Sequence, residues 1–130
     1  MTAVYEVQKA MKTLLTADST LSAIIVGVYD SVPTNSDFPY LVFSDSTNTA
    51  NNLFGHNVRD LTMTIHIFSR YEGFKEAYQI QDRLEAVLDH ATLSLNTLHA
   101  VYCEYEFSTS LRDPDGITLH VPVRFRLKIE

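Results

Sequence analysis

The segment from Ile117 to Ile129 alternates apolar and polar residues without a break. Its odd-numbered residues are apolar and its even-numbered residues are polar or proline, which is the period of a half-buried β-strand. An earlier segment, Val101 to Phe107, alternates in the same way, and the turn sequence Asp113-Pro114-Asp115-Gly116 lies between the two. The pattern predicts an antiparallel hairpin with one apolar and one polar face.

The turn sequence sets the predicted register of this hairpin. Proline favours the first central position of a type I turn, and glycine closes the turn in the left-handed conformation. We therefore expect a three-residue loop between Asp113 and Ile117, because a two-residue loop would place apolar residues opposite polar ones. The predicted pairs are Phe107–Val123, Tyr105–Phe125, Cys103–Leu127 and Val101–Ile129 on the apolar face, and Glu106–Arg124 and Glu104–Arg126 on the polar face.

Apolar residues at helical spacing predict two longer helices. The first runs from about Ala3 to Thr16, and the second follows Phe74 and ends near His90. Between the two, Asp18 or Ser19 is expected to cap a short helical turn that ends near Gly27. The charged residues expected on the outer face of the first helix are Glu6, Lys9 and Lys12.

Three further segments resemble strands. Val28 to Val32 and Tyr40 to Phe43 are short, and the second is expected to open into a polar loop from Ser44 to Asn52. Leu61 to Ile67 alternates like the C-terminal hairpin. Strands, a terminal hairpin and amphipathic helices predict an α+β fold: a mainly antiparallel sheet with helices packed on one face and a C-terminal β-hairpin. Residues 1–130 are expected to form a single domain.

Composition narrows the classes of function. The formal net charge of -6 and the pI near 5.2 argue against wrapping of nucleic acid, because phosphate binding needs a basic surface. The single cysteine, Cys103, lies on the apolar side of a predicted strand and is expected to be a core residue. We expect no signal peptide, because the N-terminus lacks a basic region followed by an apolar run and a cleavage site. We also expect no membrane span and no membrane partner, because no stretch approaches the roughly 20 apolar residues of a span.

No constellation of residues predicts catalysis or a cofactor. His66 and His120 have the polar parity of their strands and His99 has the apolar parity, so the three are not expected to converge on a metal. The acidic helix stripe Asp82, Glu85 and Asp89 is typical of a solvated face. We therefore predict no enzyme, and no catalytic, cofactor or metal site.

Four motifs in the same order resemble a known family. They are Val28 to Pro33, Phe38 to Val42, Leu61 to Arg70, and Leu111 to Gly116. Together they resemble the tail-completion, or tail-terminator, proteins of long-tailed phages and gene transfer agents. The resemblance spans most of the chain and implies a single tail-terminator-like domain.

The resemblance also implies a function and partners. Members of that family are not enzymes: a ring of six subunits caps the tail tube, stops its polymerisation and forms the surface that joins the head and neck. The implied partners are further copies of the chain, the tail tube protein and a head-completion or neck protein, while DNA passes through without specific binding. The implied location is the head-proximal end of the virion tail, after assembly in the host cytoplasm.

The pattern of residues suggests two functional surfaces. Alternation leaves one polar sheet face without helices. The resemblance implies that this face lies towards the channel, where a polar lining with negative overall charge would let DNA pass. Its expected residues are Thr62, Thr64, His66, Glu104, Glu106, Arg124 and Arg126.

The second surface is an assembly interface. It includes a protruding loop from Asn48 to His56 with two apolar anchors, Leu53 and Phe54. This loop is expected to be poorly ordered in the isolated subunit and to become ordered against the tail tube or a neighbouring subunit. The interface also includes Pro122, whose nitrogen is expected to point away from the hairpin partner, so that the last strand is an edge or is bulged there. The full set is Asn51, Asn52, Leu53, Phe54, His56, Arg59 and Pro122.

Three alternatives remain open at this point. Leu53 and Phe54 could instead tuck into the protein's own core. The chain could be another component of the same particle, such as a head-closure or tail-tube protein. It could also be a small ligand-binding or enzymatic α+β domain, which would have a deep pocket with perturbed titratable groups.

Overall fold

The computed structural model describes residues 2–130 as one six-stranded sheet with three helices packed on one face. The helices are α1 (Ala3–Ala17), α2 (Ser19–Ser22) and α3 (Lys75–Leu88). The strands are β1 (Val28–Tyr29), β2 (Tyr40–Ala50), β3 (Arg59–Ser69), β4 (Ala100–Ser108), β5 (Leu111–Arg112) and β6 (Leu119–Ile129). The predicted α+β class is confirmed.

The sheet has the strand order β1-β2-β3-β6-β4, and the short β5 also pairs with β6. Every pairing is antiparallel except that of β1 with β2. Strand β6 is therefore the interior strand that joins β3 to β4. All six of its odd-numbered residues, from Leu119 to Ile129, are buried, as the alternation predicts.

The helices begin and end close to the predicted positions. In α1, the buried residues Val7, Met11 and Leu15 recur at helical spacing and face the core. Asp18 caps α2 by accepting the Leu21 N–H, and its carboxylate also accepts two hydrogen bonds from Arg83 in α3, at 2.7 and 3.1 Å. The hydrogen bond from Arg83 is the main cause that lowers the pKa of Asp18, so this cap also joins two helices.

Glu6 is buried, so its expected place on the outer face of α1 is wrong. Its side chain is only 2% exposed and accepts three hydrogen bonds from the segment that precedes β4. The donors are the backbone N–H groups of Asn96 and Thr97 and the Thr97 hydroxyl, at 2.8–2.9 Å. Helical periodicity predicts which residues face inwards, but it does not predict a carboxylate that binds a distant loop.

These hydrogen bonds predict an acid-sensitive contribution from Glu6. They lower its pKa below the usual 4.5, with the bonds from Thr97 as the largest cause. The stabilisation is therefore complete above pH 4.5 and is lost as the pH falls towards the folded-state pKa. In denaturant titrations, Glu6→Gln should lower the unfolding midpoint most at neutral pH, and the difference should shrink as the pH falls below 4.5. The exposed Glu72→Gln is the control, and a Glu6→Gln deficit that is independent of pH would contradict this account.

Strand β2 continues through the segment that was expected to be a loop. Its register with β3 shifts between Phe43 and Ser46, and it then pairs regularly as far as Ala50. The hydroxyl groups of Thr47 and Thr62 lie 2.6 Å apart across the two strands. The expected loop from Ser44 is wrong because these polar residues pair with β3, and local composition does not report such pairing.

The C-terminal hairpin has the predicted register in its middle and a different one at both ends. Three pairs are confirmed: Tyr105–Phe125, Cys103–Leu127 and Glu104–Arg126. Irregularities between Ala100 and Tyr102 and between Tyr105 and Phe107 each shift the register by one residue. The predicted Phe107–Val123, Val101–Ile129 and Glu106–Arg124 pairs are therefore wrong, because Arg124 pairs with Phe107 and Glu106 is the extra residue, although its side chain still contacts Arg124. Phe107 and Val101 are about half exposed.

The turn itself is one residue longer than expected. Gly116 has a φ of 73° and donates its N–H to the Asp113 carbonyl, which confirms the predicted turn chemistry. However, the Asp113 N–H donates to the carbonyl of Thr118, so Ile117 belongs to the loop and is 61% exposed. The Asp115 carboxylate accepts hydrogen bonds from Thr118 and Ile117, which lower its pKa to about 2 and hold this wider loop.

Pro122 does not mark an edge strand, because β6 is paired on both sides. The Pro122 carbonyl accepts the N–H of Thr109, at 3.3 Å, so the proline nitrogen also faces the hairpin partner. The turn closes at Thr118 and not at Ile117, which reverses the side that was expected for the proline nitrogen. Pro122 has no N–H to donate, and it lies opposite the gap between β4 and β5. The other expectation for Pro122, an irregular strand pairing at this position, fits this arrangement.

Candidate functional site

The sheet face opposite the helices carries the residues that were predicted to line a channel. Thr62, Thr64 and His66 lie on β3, Arg124 and Arg126 on β6, and Glu104 on β4, while Glu106 lies at the irregularity of β4. The core side chains of the same strands contact the helices instead. Thr64 is only 7% exposed, so it contributes little to the surface. The structure thus brings this predicted set together on one face.

The cations of this face are held in ion pairs that cross the strands. Arg124 contacts Glu106 at 2.8 Å, and Arg126 contacts Glu104 at 3.0 Å, as the sequence predicts. Lys128 and Asp60 form a further pair at 4.0 Å, which the sequence analysis did not include. Arg124 also lies over the ring of Phe107, and Arg126 lies over the ring of Tyr102. These positive charges are consequently matched by carboxylates and oriented by aromatic rings.

A row of aromatic rings occupies the other end of the same face. Tyr40, Phe68, His120 and His66 follow one another across β2, β3 and β6, with ring centroids 4.3–5.4 Å apart. Burial is the largest cause that lowers the pKa of His120 below its usual 6.5, followed by the neighbouring His66. Alternation places His66 and His120 on the polar side of two separate strands, but local sequence contains no signal of their contact.

The tip of the β2–β3 hairpin carries the predicted apolar anchors. Leu53 and His56 form a bridge around Phe54 and Gly55, whose φ angles of 40° and 83° are those of a type I′ turn. The Phe54 side chain is fully exposed, and Leu53 is half exposed. The alternative in which both residues enter the protein's own core is therefore wrong for this chain.

The conformation of Phe54 is unusual for its residue type. Positive φ angles favour glycine, asparagine and aspartate, and an L-residue held there costs on the order of 1–3 kcal/mol. Hydrogen bonds nevertheless hold the neighbouring backbone. Asn51 donates its N–H to the Val58 carbonyl, and the Asn52 side-chain oxygen accepts the Val58 N–H. The segment is thus a hydrogen-bonded hairpin tip, and it presents an aromatic ring to solvent.

The remaining predicted interface residues divide into two groups. Asn51, Asn52 and His56 lie at the tip with Leu53 and Phe54, and Arg59 begins β3 beside them. His56 also contacts the carboxylate of Glu130 at 2.9 Å. Pro122 lies within β6, opposite His66, and does not join this group. The tip and Pro122 are therefore separate features.

Two edges of the sheet lack a strand partner among residues 2–130. One is the outer edge of β4, and the other is the outer edge of β2 beyond Val42, because β1 pairs only with Leu41 and Val42. The two edges lie on opposite sides of the sheet. On β4, the Cys103 carbonyl accepts the His90 N–H and the Tyr105 N–H donates to the Asp89 carboxylate, so the middle of that edge is already covered. Unpaired backbone groups at the remaining edge positions are covered or used in native proteins.

Three further features of the described residues concern reactivity, metal binding and membrane insertion. Burial raises the pKa of the Cys103 thiol to about 12, which makes it a poor nucleophile. Residues 2–130 contain no group of three or more side chains arranged to hold a metal ion. None of the helices described is long and apolar enough to cross a membrane.

Comparison with known families assigns this architecture. Residues 9–130 match the family model described as tail completion protein gp17. The chain belongs to this family. The tail completion family is one of structural proteins of virion tails, and the resemblance inferred from the four sequence motifs is confirmed.

Two solved structures share the fold of this tail completion protein. A chain from the virion of a native gene transfer agent particle superimposes with a TM-score of 0.92 at 20% identity, covering 98% of this chain and 96% of that one. The gp17 protein of bacteriophage SPP1 superimposes with a TM-score of 0.66 at 23% identity, covering 98% and 91%. A search of curated proteins finds no match. The chain thus shares its fold with a chain of a gene transfer agent virion and with a bacteriophage protein.

Proposed function

We propose that this protein is a tail terminator: copies of it form a ring, most favourably of six, that caps the tail tube and stops its polymerisation. The ring would lie at the head-proximal end of the tail and present the joining surface for a neck protein. The observation that carries this proposal is the family match over residues 9–130. The open sheet edges, the uncovered face and the exposed hairpin tip supply the surfaces that such a ring needs.

The two open edges suit a head-to-tail ring. Strands β2 and β4 run in opposite directions, because three successive antiparallel pairings separate them. The part of β4 that Asp89 and His90 leave uncovered can therefore pair in antiparallel fashion with the free part of β2 in the next copy. A contact between two different surfaces generates a closed ring when the rotation between copies closes. In such a ring the strands of all copies form one continuous wall.

In that arrangement the uncovered face would line the channel. Its cations are already paired with Glu104, Glu106 and Asp60, so few positive charges remain free for DNA phosphates. A lining of matched charges with an overall negative protein lets DNA pass without being retained. The face would act as a conduit and would not bind DNA specifically.

This reading predicts that removing the carboxylates makes the protein bind DNA. In Glu104→Gln/Glu106→Gln, Arg124 and Arg126 lose their partners and become available to phosphates. Duplex DNA should then be retained at low salt, and retention should fall steeply as salt rises. The matched control is Glu72→Gln/Glu76→Gln, which removes the same charge away from this face. Equal DNA retention by both double variants would contradict the assignment.

The hairpin tip is the proposed anchor for the tail tube or for a neighbouring copy. Phe54 offers a complete aromatic ring, and Leu53 adds apolar surface beside it. Aromatic residues of this kind are enriched among those that dominate binding energy at interfaces. The polar residues Asn51, Asn52, His56 and Arg59 would form the rim of the contact.

Electron microscopy of the purified protein, alone and mixed with tail tubes, tests the proposal. We expect rings at one end of the tubes, whereas the free protein in dilute solution can remain monomeric because assembly depends on concentration. Protein distributed along the tubes would identify a tube component instead. Rings that bind only to the head connector would identify a head-closure protein.

A further inference from the structure

Two histidines are in direct contact on the uncovered face of the sheet. His66 on β3 and His120 on β6 stack with ring centroids 4.7 Å apart, and Nδ1 of His66 faces Nε2 of His120 within hydrogen-bonding distance. Their side chains are only 12% and 18% exposed. Such a contact requires one ring nitrogen to donate a proton and the other to accept it.

A carboxylate lies at each end of this pair. The Asp45 carboxylate lies 3.3 Å from Nε2 of His66, and the Asp113 carboxylate lies 3.7 Å from Nδ1 of His120. Nε2 of His66 is buried and has no hydrogen-bond partner of good geometry. The four side chains form one row, and it links the irregular part of β2, strands β3 and β6, and the turn before β6.

The number of protons on the two rings determines which hydrogen bonds the row can make. Two neutral rings have two N–H groups in total. One N–H lies in the contact between the rings and the other faces one carboxylate, so the remaining outer nitrogen presents a lone pair to the other carboxylate. One added proton gives each carboxylate an N–H to accept and keeps the shared proton between the rings. A second added proton places N–H groups of two positive rings against each other, which breaks the contact.

We propose that the His66–His120 pair is an acid-operated latch, closed when the pair carries at most one added proton and open when both rings are protonated. Opening releases the link between Asp45 in β2 and Asp113 in the turn. Because these contacts lie within one chain, the latch does not depend on ring formation or on the proposed function.

The surroundings of the pair support opening of the latch by acid. Burial and the neighbouring His66 lower the pKa of His120, against the opposing effect of Asp113 and Asp45. Protonation of His120 as the second ring is the step that opens the latch. The stability that depends on a neutral His120 is therefore present above the usual pKa of 6.5 and is lost as the pH falls through the lowered pKa of His120. Arg70 and Tyr40 are the other titratable side chains nearby. Arg70 donates to Thr118, and burial raises the pKa of Tyr40, so Tyr40 stays neutral throughout.

Nuclear magnetic resonance tests the latch in the intact protein. Imidazole and backbone amide signals are followed from about pH 8 to about pH 4. We expect His66 and His120 to titrate in two separated steps, with the amides of Asp45, Ser46 and Asp113 following the lower step. Those amides should not follow the imidazole signals of the exposed His99, which lies outside the row.

Variants separate a latch from two unrelated histidines. In His66→Gln, the pKa of His120 should move up towards its usual value and the two-step behaviour should disappear, whereas His99→Gln should change neither. The proposal is overturned if His66 and His120 titrate independently in the wild type. It is also overturned if the Asp45 and Asp113 amides do not follow the lower step. The wild-type titration decides the matter even if a variant fails to fold.

Discussion

Replacing Phe125 with alanine is expected to lower the free energy of unfolding by about 3–5 kcal/mol, enough to unfold much of the population of a small domain. Phe125 is fully buried on the interior strand β6, lies between Met63 and Tyr105 in the sheet, and packs its ring edge-on against that of Tyr105. Truncation leaves a cavity that surrounding strands cannot easily fill. Denaturant titration of the purified protein measures the loss.

Phe107 provides a matched control for this prediction. The sequence pattern places Phe107 on the same apolar face, but the irregularity at Glu106 turns it to the other side, where it is half exposed beneath Arg124. Phe107→Ala should therefore cost no more than about 1 kcal/mol, the size of an exposed cation–π contact. Equal losses for the two alanine variants would show that the regular register is correct and the irregular one is wrong.

Replacing Leu53 and Phe54 together with serine is expected to leave the melting temperature almost unchanged and to weaken tail capping strongly. Neither residue contributes to the core, and removing the exposed ring of Phe54 costs no buried contact. Loss of an anchor residue typically costs 2 kcal/mol or more, so capping should weaken by about 30-fold or more. The measurement is the concentration of protein needed to cap tail tubes, read by electron microscopy.

Ile117 and Leu111 offer a matched control for the hairpin tip. Both are exposed apolar residues, and they lie near the other turn of the sheet, outside the proposed anchor. Ile117→Ser/Leu111→Ser should leave both melting temperature and capping nearly unchanged. If the tip variant instead loses much of its stability, Leu53 and Phe54 have a structural role. If it caps tubes as well as the wild type, the anchor lies elsewhere.

The period of hydrophobic residues was sufficient to predict most of the architecture. Alternation identified β3 and β6 because each is buried on one face along its whole length. Helical spacing identified α1 and α3 for the same reason, since one face of each is in the core. The central hairpin pairs followed because a slip of one residue would turn every apolar side chain away from the core.

The errors concern interactions between distant parts of the chain. The distal half of β2 is polar and pairs with β3, so its composition is that of a loop although its conformation is that of a strand. Glu6 is buried because it binds backbone groups some ninety residues later in the sequence. The irregularities of β4 change the register without a glycine or proline to mark them. None of these features has a signal in local periodicity.

The positions of the residues on the proposed functional surfaces could be predicted in part. Parity alone placed Arg124 and Arg126 beside Glu104 and Glu106, and the exposed Leu53 and Phe54 stood out as apolar residues in a polar segment. The expected edge at Pro122 was wrong because β6 is paired on both sides and the proline nitrogen faces the hairpin partner. The row of histidines and carboxylates was missed, because it requires four segments to meet in the folded sheet.

The length distribution of tail tubes in particles that lack this protein tests the terminator proposal most directly. Without a cap, tube growth is no longer stopped, so we predict tubes of heterogeneous and excessive length that do not join heads. Supplying the wild-type protein should restore a single length, whereas the tip variant Leu53→Ser/Phe54→Ser should restore it poorly. Tubes of normal length that still join heads would contradict the terminator role, and a neck or tube component would then be the better assignment.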